Sequence, residues 1–278
     1  MNDVTTINDA IQNRLDASHA SSIAWPRKHD LFGVDVSATT YDEATAAILT
    51  AAREGISSVV SAHAAHAVVC ASDDPALRAK VNSFQIVTPD GQPVRWALNA
   101  LHGAGLNDRV RGTELMLRVC RAAAGAGVSI YLYGGTDEVL SALRGNLATM
   151  CPGVVIAGAF PPPFRPLTAV EQDDVVHRII ESGAGIVFIG LGCPKQDHFA
   201  YELLGRVPAV SICVGAAFDF HAGIKTTAPL WMQHAGLEWV HRLCSEPGRL
   251  WRRYLETNTR FVLKFARAWW QKKTGSAD

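Results

Sequence analysis

The feature that most constrains this chain is a set of short runs that are apolar almost throughout. Val128 to Tyr133, Ile186 to Gly190 and Ala209 to Val214 show no apolar–polar alternation. A strand with one wet face alternates, so an unbroken run marks a strand covered on both faces, as in a parallel sheet between helical layers. Ser57 to Ser61 and Phe84 to Thr88 share this character, and Leu31 to Val36 and Val154 to Ala157 read as further strands. Stretches at helical spacing lie between them: Tyr41 to Arg53, Ala64 to Val81 with a break near Asp74-Pro75, Gln92 to Leu101, Gly112 to Ala124, and Thr168 to Glu181. Thr136 suits an N-cap, with acids in the first turn of the helix it opens. The expected fold is α/β: a Rossmann-like, mostly parallel sheet with helices on both faces, plus a basic α-helical C-terminal appendage. The core is placed at residues 30–229, after a loosely ordered leader at 1–29 and before the appendage at 230–278.

Composition narrows the function classes. The chain has 278 residues, 48% hydrophobic and 19% charged, which excludes a disordered polymer and allows a large core. Net charge is zero but unevenly spread: Arg242 to Lys273 holds nine Lys or Arg against two Asp or Glu, a balance of +7, leaving −7 elsewhere. Whatever the tail touches is expected to be anionic. Trp231, Trp239, Trp251, Trp269 and Trp270 interleave with those cations, which favours an anionic membrane surface. No nucleic-acid motif accompanies them, so nucleic acid is not an expected partner. No run of 18 apolar residues exists, so no membrane span is expected. Residues 1–22 lack the apolar centre of a signal peptide. The six cysteines lie far apart, without zinc-ligand spacing, and read as reduced, buried residues of a cytosolic protein.

Several motifs sit where strands should end. Asp90, in Pro89-Asp90-Gly91, follows one run, at the edge where α/β proteins bind ligands. Gly134 and Gly135 precede a helix start; they form either a simple tight turn or a loop presenting free amides to phosphate. Gly190-Leu-Gly-Cys-Pro-Lys-Gln196 repeats that arrangement, and Lys195 and Gln196 offer a cation and an amide to a phosphorylated or sugar ligand. Ser61 and His63 end the second strand and are candidate binding residues beside Asp90. Arg109 and Arg111 precede a helix and could position an anion. Asp219 and His221 read as a capped turn more readily than as a catalytic pair, because no nucleophile accompanies them.

Taken in order, Thr88-Pro-Asp90-Gly91, Arg109-Val-Arg-Gly112-Thr-Glu-Leu-Met116, Leu132-Tyr-Gly-Gly135, Gly190 to Gln196, Gly215-Ala-Ala-Phe-Asp219, and Ala228 to Gln233 through Gly236 to Arg242 and Glu246-Pro247 resemble the WecG/TagA/CpsF family of bacterial glycosyltransferases. The resemblance spans about Leu31 to Phe265. It implies transfer of a hexose or N-acetylhexosamine, such as N-acetylmannosamine or glucose, from a UDP-sugar to a polyprenyl-diphosphate-linked saccharide in cell-surface polysaccharide synthesis. It implies no cofactor and no required metal, and a cytoplasmic protein held peripherally at the inner face of the plasma membrane. By the same resemblance Asp90 is the general base, Gln196 a donor-site residue, and Arg242, Arg249 and Arg252 reach the nucleotide or lipid diphosphate. From the residues themselves, Arg111 and Asp219 are further candidate substrate-binding residues. One departure is Ser61-Ala62-His63 where the family usually has Thr-x-Asn, which leaves the sugar open. Inversion is expected, since no second carboxylate is assigned as nucleophile. Two other readings stand beside this one. A Rossmann-type nucleotide-sugar oxidoreductase or epimerase would need a GxGxxG loop that the chain lacks. A membrane-docked scaffold would use the basic tail alone. The oligomeric state is left open.

Overall fold

A computed structural model describes residues 23–275, apart from the side chains at positions 230, 234, 249 and 253. Two short strands, β1 (Lys28–Leu31) and β2 (Val34–Ser37), form an antiparallel hairpin. The run Leu31 to Val36, which reads as one strand in the sequence, is broken in the fold. Phe32 and Gly33 instead adopt φ of 63° and 88° and reverse the chain between two apolar stretches.

The main sheet follows the alternation expected. Helix α1 (Tyr41–Glu54) leads to β3 (Ser58–His63), then α2 (Ala65–Asp73) and α3 (Pro75–Asn82) lead to β4 (Ile86–Pro89). Helices α4 (Gln92–His102) and α5 (Gly112–Ala126) precede β5 (Ile130–Gly134), and α6 (Asp137–Met150) precedes β6 (Ile156–Phe160). Helix α7 (Ala169–Glu181), β7 (Ile186–Gly190), α8 (Lys195–Leu203) and β8 (Val210–Cys213) complete the core. Asp74 separates α2 from α3 and caps the second with its carboxylate, which accepts from the Ala76 and Leu77 amides. Thr136 accepts from the Val139 amide, as its position before α6 suggested.

Strand order is β4-β3-β8-β7-β5-β6, with every pairing parallel. All six strands therefore point their carboxyl ends to one edge. Alternate residues feed two separate apolar layers. Val59, Tyr131, Val187 and Ile189 pack towards α2, α3, α4, α7 and α8. Val60, Leu132, Ile186 and Phe188 pack towards α1, α5 and α6. Both faces are covered, which is why the strands lack alternation.

Short helix α9 (Ala217–His221) follows β8, and the appendage forms three helices: α10 (Leu230–His234), α11 (Glu238–Ser245) and the 28-residue α12 (Pro247–Thr274). Helix α12 lies against the core, where Phe261 is buried and meets the Phe32 ring edge-on at 5.3 Å. Its cations do not all face outward, as a purely membrane-facing tail would require. Arg260 and Lys264 pair with Asp73 at 3.1 and 2.8 Å, and Lys272 donates to the carbonyls of Ala100 and Leu101 at the end of α4. Trp251, Leu255, Val262, Leu263 and Trp270 form the apolar part of the outward face.

Candidate active site

The site begins where β4 stops. The Asp90 amide donates to the His63 carbonyl at 3.2 Å, tying the turn to neighbouring β3. The Thr88 hydroxyl donates to the Val110 carbonyl at 2.9 Å, and the Val110 amide donates to the Pro89 carbonyl at 3.0 Å. These bonds dock the loop of Arg109 and Arg111 beside Asp90. Tyr41 of α1 supports it from below, its hydroxyl accepting from the Arg111 amide at 3.0 Å.

The appendage closes the other side. Glu238 of α11 meets Arg109 at 2.8 Å, Arg111 at 3.7 Å and Arg242 at 3.3 Å. Two carboxylates and three guanidiniums thus share one partly desolvated cluster. Burial raises the Asp90 carboxyl above the ordinary aspartate range, the Glu238 charge raises it further, and Arg242, Arg109 and Arg111 oppose that rise without cancelling it. Solvent reaches the Asp90 carboxyl through the cavity, and protein surrounds it elsewhere. Burial would raise Glu238 too, but the three arginines outweigh it and hold that carboxyl below its usual range. The two acids are therefore divided: the arginines favour the charged form of Glu238, and burial favours the protonated form of Asp90. The Arg242 guanidinium lies 4.9 Å from the Phe220 ring, and its Nε is buried with no hydrogen-bond partner among the described residues.

A cavity of about 690 Å³ opens over the ends of β4, β3, β8 and β7. Asp90, Arg111, Gln196, Asp219, Glu238 and Arg242 all line it. Gln196 is 3% exposed, and its Oε1 accepts from the Gly215 amide at 2.9 Å, which locks the loop after β7 to the loop after β8. Asp219 is paired with Lys225 at 2.8 Å, and Lys225 reaches Glu246 at 3.3 Å, so the far rim is another ionic bridge between core and appendage.

Residues 29–275 match the glycosyl transferase WecG/TagA/CpsF family. The chain belongs to that family. As one of its members it is a glycosyltransferase, and the oxidoreductase or epimerase reading is not favoured. A relative from Bacillus spizizenii, named N-acetylglucosaminyldiphosphoundecaprenol N-acetyl-beta-D-mannosaminyltransferase, is 29% identical over 186 residues, covering 66% of this chain and 70% of that protein.

In this WecG/TagA/CpsF glycosyltransferase the other residues singled out from sequence lie in different places. Ser61 and His63 are buried and turned away from the cavity wall, where Ala62 and Ala64 stand instead. Both bond Asp197 of α8, Ser61 Oγ donating at 2.6 Å and His63 Nε2 lying at 3.1 Å from the same oxygen. They share a strand face with Val59, which directs them at α8. Gly134 and Gly135 are not on the cavity wall. A Cβ on Gly134 would come within 2.8 Å of the Gly190 backbone, so the missing side chain permits two strand ends to touch. Lys195 is exposed and outside the lining. Arg252 is exposed with its guanidinium 5.1 Å from the Trp251 ring, and the Arg249 side chain lies outside the described residues. His221 Nε2 lies 2.9 Å from the Thr113 carbonyl oxygen, while Asp219 pairs with Lys225, so these two do not work on each other.

Sequence reasoning did not single out Glu238, Lys225 or Phe220. Glu238 lies inside the Gly236-to-Arg242 block, but nothing local shows that it meets arginines more than a hundred residues upstream. The cysteine reading also changes. Only three of the six are buried, Cys244 is exposed, and the fold brings Cys70 and Cys193 together with His66.

Proposed function

We propose that this glycosyltransferase moves a hexose or N-acetylhexosamine from a UDP-sugar to a saccharide carried on a polyprenyl diphosphate, with inversion. The observation that carries the reading is the Arg242 Nε, a buried donor without a partner among the described residues, in the same wall as a carboxyl that burial raises above the usual aspartate range. An unused cationic donor beside a cavity suits an anionic ligand. The name of the Bacillus spizizenii relative supports a lipid-diphosphate acceptor and an N-acetylmannosamine donor class.

In this mechanism Asp90 accepts the proton of the acceptor hydroxyl as its oxygen bonds to the anomeric carbon. The bond from that carbon to the UDP oxygen breaks on the opposite face, and UDP leaves as the anion. Arg111, Arg242 and the loop backbone at Gly192 stabilise the charge that develops on the diphosphate. These groups serve where other transferases use a metal. Gln196 keeps the two loops in register. Ser61 and His63 act indirectly, by fixing α8 through Asp197.

No helix among the described residues is long and apolar enough to cross a membrane. We place the enzyme peripherally at the inner face of the plasma membrane, with the outer stripe of α12 in the interfacial layer. Trp251, Leu255, Val262, Leu263 and Trp270 would enter that layer, flanked by exposed Arg252, Arg267 and Lys273. Each cation near an anionic surface contributes about 1 kcal/mol.

The test is a screen of UDP-sugars against a short polyprenyl-diphosphate-sugar, reading UDP release and the anomeric configuration of the product. One sugar should release UDP only with acceptor present. Silence across the set would overturn the assignment, and a retained anomer would overturn the single-base mechanism.

A further inference from the structure

We propose that His66, Cys70 and Cys193 form a site for a thiophilic metal ion, represented by Zn²⁺, in the wall of the transfer cavity, and that the bound ion inhibits transfer. His66 and Cys70 are four residues apart on α2, so one helical turn stacks imidazole and thiol on a single face, with Sγ 3.6 Å from Nδ1. Cys193 reaches the same point from the loop between β7 and α8, and the three ligand atoms lie within 4.8 Å of one another. A tetrahedral zinc centre with Zn–S near 2.3 Å and Zn–N near 2.0 Å separates its ligands by about 3.5–3.8 Å. The cluster therefore needs a contraction of about 1 Å at its widest point, within the reach of rotamer adjustment.

The donor set selects the ion. Two sulfurs and an imidazole favour Zn²⁺ or Cu⁺ over the hard Mg²⁺ and Mn²⁺ that diphosphates recruit. On binding, the thiol protons pass to solvent and two sulfur–metal bonds form, with no change of oxidation state. Three protein ligands leave one coordination position free. His66 and Cys193 belong to the cavity lining that also holds Asp90 and Gln196, and Cys70 does not, so the free position faces the cavity. An ion there would occupy donor or acceptor space and draw His66 and Cys193 inward. The binding claim is independent of the reaction proposed above; the inhibitory claim rests on it.

The experiment titrates Co²⁺ into the full chain under phosphine reductant and then displaces it with Zn²⁺. A thiolate-to-cobalt charge-transfer band should appear with tetrahedral d–d bands, saturate at one ion per chain, and disappear on adding Zn²⁺. Cys70→Ser should lose much of the band and weaken binding by at least about tenfold, while Cys244→Ser, at an exposed cysteine, should match the wild type. In the UDP-release assay, Zn²⁺ should slow the wild type, chelator should restore it, and Cys70→Ser should need at least about tenfold more Zn²⁺ for the same loss. Absence of the charge-transfer band in the reduced wild type would overturn the site whether or not any variant folds. A band kept in Cys70→Ser and lost in Cys244→Ser would do the same. Saturating Zn²⁺ without effect on turnover would overturn the inhibitory role. If no UDP-sugar turns over, the optical titration still decides the site.

Discussion

Replacing Asp90 with Asn removes the proton acceptor while keeping the shape of the side chain. General base catalysis contributes about 10²–10⁴ in rate, or about 2.7–5.5 kcal/mol at 1.36 kcal/mol per decade. We expect kcat to fall within that range. Arg111, Arg242 and Gln196 stay in place, so KM for the UDP-sugar should change by no more than about twofold. Stability supplies an independent check. Burial, and then the Glu238 charge, raise the Asp90 carboxyl in the folded state. For an acid raised in this way the folded state binds the proton more tightly than the unfolded state. Its favourable contribution is fully present below the unfolded value and is lost as pH rises through the folded one. Above the folded value the wild type carries a buried charge that Asn relieves. The variant should melt no lower than the wild type at pH 7, and any advantage should vanish on acidification. The wild-type kcat/KM should fall on the acid side with a midpoint above the usual aspartate range. UDP release gives the rates and thermal unfolding gives the stability. Wild-type turnover by Asp90→Asn would refute the base assignment, and a large drop in melting temperature at pH 7 would make Asp90 a structural residue instead.

Three further outcomes are expected. Asp197→Asn should cost about 3–5 kcal/mol in urea unfolding, because a buried charge-assisted cluster loses its anion; burial raises that carboxyl but His63 and Ser61 outweigh it, so its stabilisation is present above the ordinary aspartate value and fades as pH falls through the lower folded value. A loss below about 1 kcal/mol would mean the cluster is not structural. Gly134→Ala forces a Cβ to within 2.8 Å of Gly190 backbone at a φ of 132° and should cost about 2–5 kcal/mol; an unchanged melting temperature would contradict the close strand contact. Leu255→Asp with Leu263→Asp, both 64% exposed, should weaken sedimentation with anionic vesicles at least about tenfold without lowering the melting temperature. Undiminished vesicle binding would remove the outer stripe of α12 from the membrane contact.

The chain's own pattern determined that the sheet is parallel and covered on both faces, because consecutive apolar side chains in runs such as Ile186-Val-Phe-Ile189 have no wet side to alternate towards. It also placed Asp90 and Gln196 at strand ends, since glycine, proline and a helix start follow each run within a few residues. Those are short-range properties, set by neighbours along the chain. Periodicity could say that Ser61 and His63 share a face but not which one; Asp197, 134 residues beyond His63, settled it. The reversal at Phe32-Gly33 splits an apparent strand into a hairpin, with both residues at positive φ. Nor could spacing show that Glu238 gathers Arg109, Arg111 and Arg242, that Lys264 turns inward to Asp73, or that His66 and Cys70 meet Cys193. Charge pairing and ligand geometry depend on which distant segments the tertiary fold brings within a few ångströms, and hydrophobic periodicity carries no record of that distance.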